Sequence, residues 1–132
     1  LVAEGLRKIA MLARLISTGT LLDSGYLFWD EPESNLNPKV IKGVAESIVQ
    51  LANSGVQVFL GTHSLFLLRE LEIILSRPEN SETRQRGQFI GLSPSDDGVV
   101  AIADQDLSGI GDIASLDESL MQSDRYVEAA FG

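Results

Sequence analysis

The chain has 132 residues, 44% of them hydrophobic and none of them cysteine, with a formal net charge of -9. That length fits one ordinary domain, and the apolar share argues against a wholly disordered chain. The lack of cysteine removes disulfides and thiolate metal sites, which suits a reducing compartment, and no apolar run approaches the ~20 residues that span a bilayer.

The first residue is Leu1, not Met, and the chain opens directly into a helical pattern, so it is expected to be a fragment. No signal-peptide pattern is found. Residues 4 to 18 predict a helix, because Leu6, Ile9, Ala10, Ala13 and Ile16 recur at helical spacing and Gly19 stands at a cap position. After a turn around Asp23, Ser24 and Gly25, the short run Tyr26-Leu27-Phe28-Trp29 predicts a buried strand. Asp30-Glu31-Pro32 follows at once.

Asn37-Pro38 reads as a helix start, with Asn as the cap and Pro at the first helical position. Val40, Val44, Ile48 and Leu51 line one face of that helix, and Gly55 closes it. Val56 to Leu60 predicts a second strand. Gly61-Thr62-His63-Ser64 is a turn, and Ser64 caps a third helix running to about Leu75. Two strands separated by one helix predict a βαβ unit and a parallel sheet.

The polar stretch Pro78 to Arg86 is expected to be an exposed loop. Gln88 to Leu92 and Val99 to Ala103 predict a hairpin turning around Pro94-Ser95-Asp96-Asp97-Gly98. Roughly Asp117 to Ala130 is a weakly amphipathic helix. From Asp96 onward nine acidic residues stand against one basic residue, Arg125. That stretch is read as a solvated acidic face that repels phosphate backbones. Asp104, Asp106 and Asp112 show no ligand-like spacing and are read as turn and surface residues.

A strand that ends in two acids places both carboxylates at the C-terminal edge of a parallel sheet, where ligands of α/β folds bind. Neighbours on extended backbone point to opposite faces, so Asp30 and Glu31 need not share a role. One suits a Mg²⁺ shell and the other the activation of water. For a bare Asp-Glu pair, an ordinary acidic turn is the commoner explanation. The longer stretch Leu27 to Pro38 is more specific.

That stretch resembles the Walker B motif and D-loop of the ABC superfamily. It is more closely similar to the soluble branch that includes chromosome-maintenance (SMC), RecF-like and OLD-family ATPases. Asn35-Leu36-Asn37-Pro38 stands for the Asn-Leu-His-Pro-like element, with Asn37 at the usual His position. The resemblance implies Asp30 in a Mg²⁺ shell and Glu31 as the base that orients attacking water. It also implies Ser34, Asn35, Leu36 and Asn37 as a D-loop facing a partner subunit. Glu33 belongs to the motif and is assigned no chemistry.

His63 is the chain's only histidine, and a lone histidine is more often an ordinary structural residue. Its place after the second strand resembles the H-loop, whose imidazole contacts the γ-phosphate and the attacking water. Ala3-Glu4-Gly5-Leu6-Arg7-Lys8 resembles the signature element, where a glycine at a helix N-terminus reaches the γ-phosphate of the partner's nucleotide. Gly5 is its only glycine and the usual Ser-Gly-Gly is absent. The plainer alternative is an amphipathic helix with Arg7 and Lys8 exposed. No Gly-x-x-x-x-Gly-Lys-Ser/Thr occurs, so the phosphate-cradling loop is missing.

The expected fold is therefore α/β: the C-terminal part of a P-loop NTPase sheet of the ABC ATPase type with flanking helices, then a β-hairpin and a terminal helix. Residues 1–77 are read as the Walker B, D-loop and H-loop half, and residues 78–132 as loop, hairpin and helix of the same domain. The resemblance implies ATP binding and hydrolysis with Mg²⁺, coupled to conformational change in a cytoplasmic head-to-tail homodimer. The isolated chain is expected to be inactive, needing an N-terminal remainder that carries Walker A. No membrane partner is expected; an effector or nucleic acid acting on the parent protein stays open. The alternative is a non-catalytic interaction module on the same fold.

Overall fold

The computed structural model describes residues 2–20, 25–111 and 114–132; the expected turn residues Asp23 and Ser24, and Asp112, lie outside the described residues. The chain divides into two compact units, Leu1–Arg86 and Gly87–Gly132. Among the described residues no helix is long and apolar enough to cross a membrane.

The first unit opens with helix α1, Val2–Ser17. Gly19 follows at φ 70° and donates its N–H to Ile16 O at 3.2 Å, which ends the helix in the left-handed manner expected of glycine. The buried stripe of α1 is turned from the expected one. Leu12 is buried, Ile9, Leu15 and Ile16 are half-buried, and Leu6 is 63% exposed. Apolar residues occur on several faces of α1, so periodicity alone does not select the stripe.

Strand β1, Tyr26–Asp30, pairs in parallel with β2, Gln57–Gly61, in a register that sets Phe28 against Phe59 and Asp30 against Gly61. Between them runs helix α2, Pro38–Asn53, capped by Asn37, whose Oδ1 accepts from Val40 N at 3.1 Å. Its C-terminus is a Schellman closure: Val56 N donates to Leu51 O, Gly55 N donates to Ala52 O, and Gly55 has φ 97°. Helix α3, Leu65–Leu75, is capped by Ser64 Oγ, which accepts from Leu67 N at 3.2 Å. The βαβ unit and both caps agree with the local chemistry of the sequence.

One side of the sheet is covered. Trp29, Val58 and Leu60 pack on Val44, Ile48, Leu67 and Leu71 of α2 and α3, and Leu27 packs on Leu12 and Leu51. The other side carries Tyr26 and Phe28, 62% and 75% exposed, with Phe28 stacked on Phe59 at 4.6 Å between ring centroids. The strand expected to be buried is thus buried on one face only. The helices of this chain cover one side of the sheet, and side chains alternate along a strand.

The expected loop Pro78 to Arg86 is instead a 3-10 turn, Pro78–Asn80, running into helix α4, Ser81–Arg86. Asn80 is the reason. Its side chain is buried, donates to Ile74 O at 2.8 Å and accepts from Asn53 Nδ2 at 2.9 Å. Thr83 Oγ1 donates to Asn53 Oδ1, which ties α4 to the end of α2.

The second unit holds the antiparallel hairpin of β3, Phe89–Ser95, and β4, Gly98–Asp104, closed by the two-residue turn Asp96-Asp97. A 3-10 turn, Leu107–Ile110, lays Ile110 against Gly91, where a Cβ would come within 2.9 Å of Ile110 O. Asp104 Oδ1 accepts from Asp106 N at 2.9 Å, a turn contact within the chain. Helix α5, Ala114–Phe131, follows.

Candidate functional site

Both strands of the parallel pair leave the sheet at the same edge, so whatever follows Asp30 lies beside whatever follows Gly61. This is the C-terminal edge, where α/β sheets bind ligands. Glu31 N donates to Gly61 O at 2.7 Å, carrying the ladder one residue past the strand end. The Glu31 backbone then turns into the left-handed region at φ 48°. The expectation of an extended Glu31 is corrected by that turn. The two acids diverge because the chain bends between them, not because a strand alternates.

The bend delivers the Glu31 carboxylate to His63. Glu31 Oε1 lies 3.1 Å from His63 Nδ1, and the two side chains are 47% and 69% exposed. A carboxylate at Nδ1 favours a ring form that carries a proton on that nitrogen. At such exposure the pair contributes only ~0.2–1 kcal/mol to stability, so its value is geometric. Asp30 is exposed on the aromatic side of the sheet and lies over Gly61: a Cβ on Gly61 would meet Asp30 Oδ1 at 2.6 Å. Among the described residues no group of three His, Cys, Asp or Glu gathers to hold a metal.

The loop after Glu31 is two linked turns, with Ser34 N donating to Glu31 O and Leu36 N to Glu33 O, both at 3.1 Å. Asn35 takes φ 61°, a conformation that asparagine tolerates better than most residues. The four expected D-loop residues have different surroundings. Asn35 is exposed, Ser34 is half-buried, Leu36 packs on the core, and Asn37 spends its side chain on the helix cap.

Three polar residues that the sequence reading left without a role hold this loop. Lys8 of α1 places Nζ 3.1 Å from Pro32 O, 2.9 Å from Ser34 O and 3.3 Å from Ser34 Oγ. The plainer alternative of an exposed Lys8 does not hold: the ammonium has three donors, and the loop supplies three oxygens. Thr62 Oγ1 donates to Glu33 Oε1 at 2.6 Å and accepts from Ser64 N at 3.0 Å. Membership of Glu33 in the motif was a signal that could have been followed. Lys8 offered none, because helical spacing does not say what lies opposite.

Gly5 closes the first turn of α1 and is buried; a Cβ there would lie 2.5 Å from Val40 Cγ1. Gly5 thus lies in the first turn of the helix, with its Cα turned toward α2. Close approach of α1 to α2 accounts for the glycine.

Comparison with known proteins defines the class. A solved structure from work on ATP-driven dimerization and DNA-stimulated activation of SMC ATPases matches with a TM-score of 0.54. The match covers 92% of this chain and 60% of that chain at 14% identity, a likeness of fold. The α/β arrangement is of the P-loop NTPase-like kind. The family model described as "AAA domain, putative AbiEii toxin, Type IV TA system" matches residues 1–69, more than half of the chain, and the chain belongs to that family. The Old nuclease of Escherichia phage P2 is 50% identical over 42 residues, which are 32% of this chain and 7% of that protein. The chain thus spans a small part of that relative's length.

Proposed function

We propose that this chain carries the hydrolytic edge of a Mg²⁺-dependent ATPase whose phosphate-cradling loop lies outside it. The observation that carries the reading is the 3.1 Å contact between Glu31 and His63 at the strand-end edge. In this reading Glu31 accepts a proton from attacking water and orients it. His63 holds its ring against Glu31 through Nδ1–H, and its other nitrogen faces the γ-phosphate, to which it donates when it too carries a proton. Asp30 would hold Mg²⁺. Its carboxylate is exposed and takes no hydrogen bond or ion pair among the described residues, and this cation takes carboxylate oxygen together with water and phosphates. When bound, the cation neutralises charge on the phosphate oxygens.

The same reading makes the active form a head-to-tail dimer. Asn35 and its neighbours Ser34, Leu36 and Asn37 face the partner, and the first turn of α1, leading to Gly5, meets the partner's nucleotide through its backbone amides. Residues 1–77 and 78–132 are read as parts of one ATPase domain, and the setting as cytoplasmic.

Full-length protein tests the roles. Glu31→Gln is expected to bind ATP with nearly unchanged affinity and to lose hydrolysis, because the amide keeps the shape and removes the base. Asp30→Ala is expected to weaken Mg²⁺-nucleotide binding. His63→Ala is expected to lower turnover on the order of 10²–10⁴-fold, as for a positioned catalytic group. Equal loss of ATP affinity in Glu31→Gln and Asp30→Ala, read by equilibrium titration, would sink the assignment.

A further inference from the structure

The Glu31–His63 contact joins two loops that leave different strands, and neither side chain is buried enough to be held by packing. Something else must fix the spacing. Besides the backbone bond of Glu31 N to Gly61 O, the two loops share, among the described residues, one other side-chain link: Thr62 Oγ1 donates to Glu33 Oε1 at 2.6 Å. These are the next residue but one after Glu31 and the residue immediately before His63. The hydroxyl is used twice, because it also accepts from Ser64 N at 3.0 Å. His63 is therefore spanned by a closed turn whose hydroxyl is anchored on the opposite loop.

The anchor is itself held. Lys8 ties down the carbonyls of Pro32 and Ser34, on either side of Glu33, and Pro32 is fully buried. The other carboxylate oxygen of Glu33, Oε2, is buried without a hydrogen-bond partner among the described residues. Leaving a buried carboxylate oxygen unsatisfied costs stability, and an acid in an ordinary surface turn would not bear that cost. A buried polar group left unsatisfied in a native fold calls for a reason.

We propose that Glu33 and Thr62 are positioning residues, a hydrogen-bonded brace that sets Glu31 and His63 at working distance. The proposal rests on the reading that those two act together. The brace touches neither substrate nor cation. It acts by fixing the loops, so its loss displaces His63 from Glu31 while leaving the nucleotide's own contacts in place.

The single histidine makes the brace directly observable. In NMR spectra of this chain, His63 ring signals need no assignment against other histidines. Glu33→Ala and Thr62→Val are each expected to abolish the nuclear Overhauser contact between the His63 ring and the Glu31 side chain, and Thr62→Ser, which keeps the hydroxyl, to retain it. In full-length protein, Glu33→Ala and Thr62→Val are expected to lower kcat on the order of 10–10²-fold, the scale of a misplaced catalytic group, with KM for ATP little changed. The double variant is expected to be no worse than the poorer single one, because both remove one bond. A His63–Glu31 contact that survives Glu33→Ala overturns the brace. So does wild-type kcat in Glu33→Ala when Glu31→Gln is inactive. Unimpaired turnover in Glu31→Gln would instead overturn the underlying reading, and the NMR result would still decide the brace.

Discussion

Glu31 occupies left-handed backbone at φ 48°, where an L side chain with a Cβ is disfavoured by ~1–2 kcal/mol. The carboxylate reaches His63 because the chain turns there, so the backbone cost and the contact come together. Such strain is retained where the surrounding structure over-determines it, and here the Glu31 N–H bond to Gly61 and the Ser34 N–H bond to Glu31 O both do so. Glu31→Gly should relieve the strain and lose only an exposed side-chain contact with His63. The expected outcome is a urea unfolding midpoint at or above that of the unaltered chain, together with complete loss of turnover in full-length protein. A clear drop in midpoint would mean that the Glu31 side chain supports the fold.

At the scale of elements, two contacts decide how the first unit is assembled. The α1–α2 crossing is close because Gly5 has no Cβ to meet Val40. Gly5→Ala is expected to cost ~1–3 kcal/mol by overpacking. In a Val40→Ala background the same change should become stabilising by ~0.5–1 kcal/mol, since the helix then gains from alanine and nothing is crowded. A penalty that persists without Val40, measured by denaturant unfolding, would show that some other contact requires the glycine. The second element contact is the Asn53–Asn80–Ile74 network that turns a polar stretch into ordered helix. Asn80→Ala strands a carbonyl and an amide, and is expected to cost ~1–3 kcal/mol. Faster amide exchange should then appear across Ser81–Arg86; unchanged exchange there would argue that α4 stands without Asn80.

For the whole molecule, the exposed aromatic side of the sheet and the missing phosphate loop bear on what this chain does alone. Parallel sheets are ordinarily covered on both faces, and most phosphate contacts of a P-loop ATPase come from the loop this sequence does not contain. The purified chain is therefore expected to show no Mg²⁺-dependent ATP turnover. Turnover that Glu31→Gln abolishes would overturn that expectation. In full-length protein the proposed dimer can be tested by mixing. Gly5→Asp is unsuitable, because it would disturb packing on Val40, whereas Ala3 is exposed on the same helix. Ala3→Asp and Glu31→Gln should each be inactive alone. In a mixed dimer one site carries both lesions and the other neither, so activity should return on mixing. Absence of recovery in demonstrated heterodimers would refute the trans contact.

What the sequence determined by itself is whatever short-range chemistry governs. The strand–helix–strand order follows from apolar runs and their lengths. The Asn37 and Ser64 caps and the Gly55 closure are each contained within a few residues. The strand ending in Asp30-Glu31 and the turn holding His63 could be placed at one sheet edge because a right-handed βαβ step leaves little choice. The tertiary structure alone decided which side of the sheet is covered, which stripe of α1 is buried, and that Pro78 to Arg86 is ordered. It alone showed that Lys8 grips the loop, that Gly5 meets Val40, and that Glu33 is paired with Thr62. These are contacts between residues 26 to 29 positions apart in the cases of Lys8 with Ser34, Asn53 with Asn80 and Glu33 with Thr62. Their partners are chosen by how helices cross and where loops leave the sheet, which periodicity along one segment does not encode.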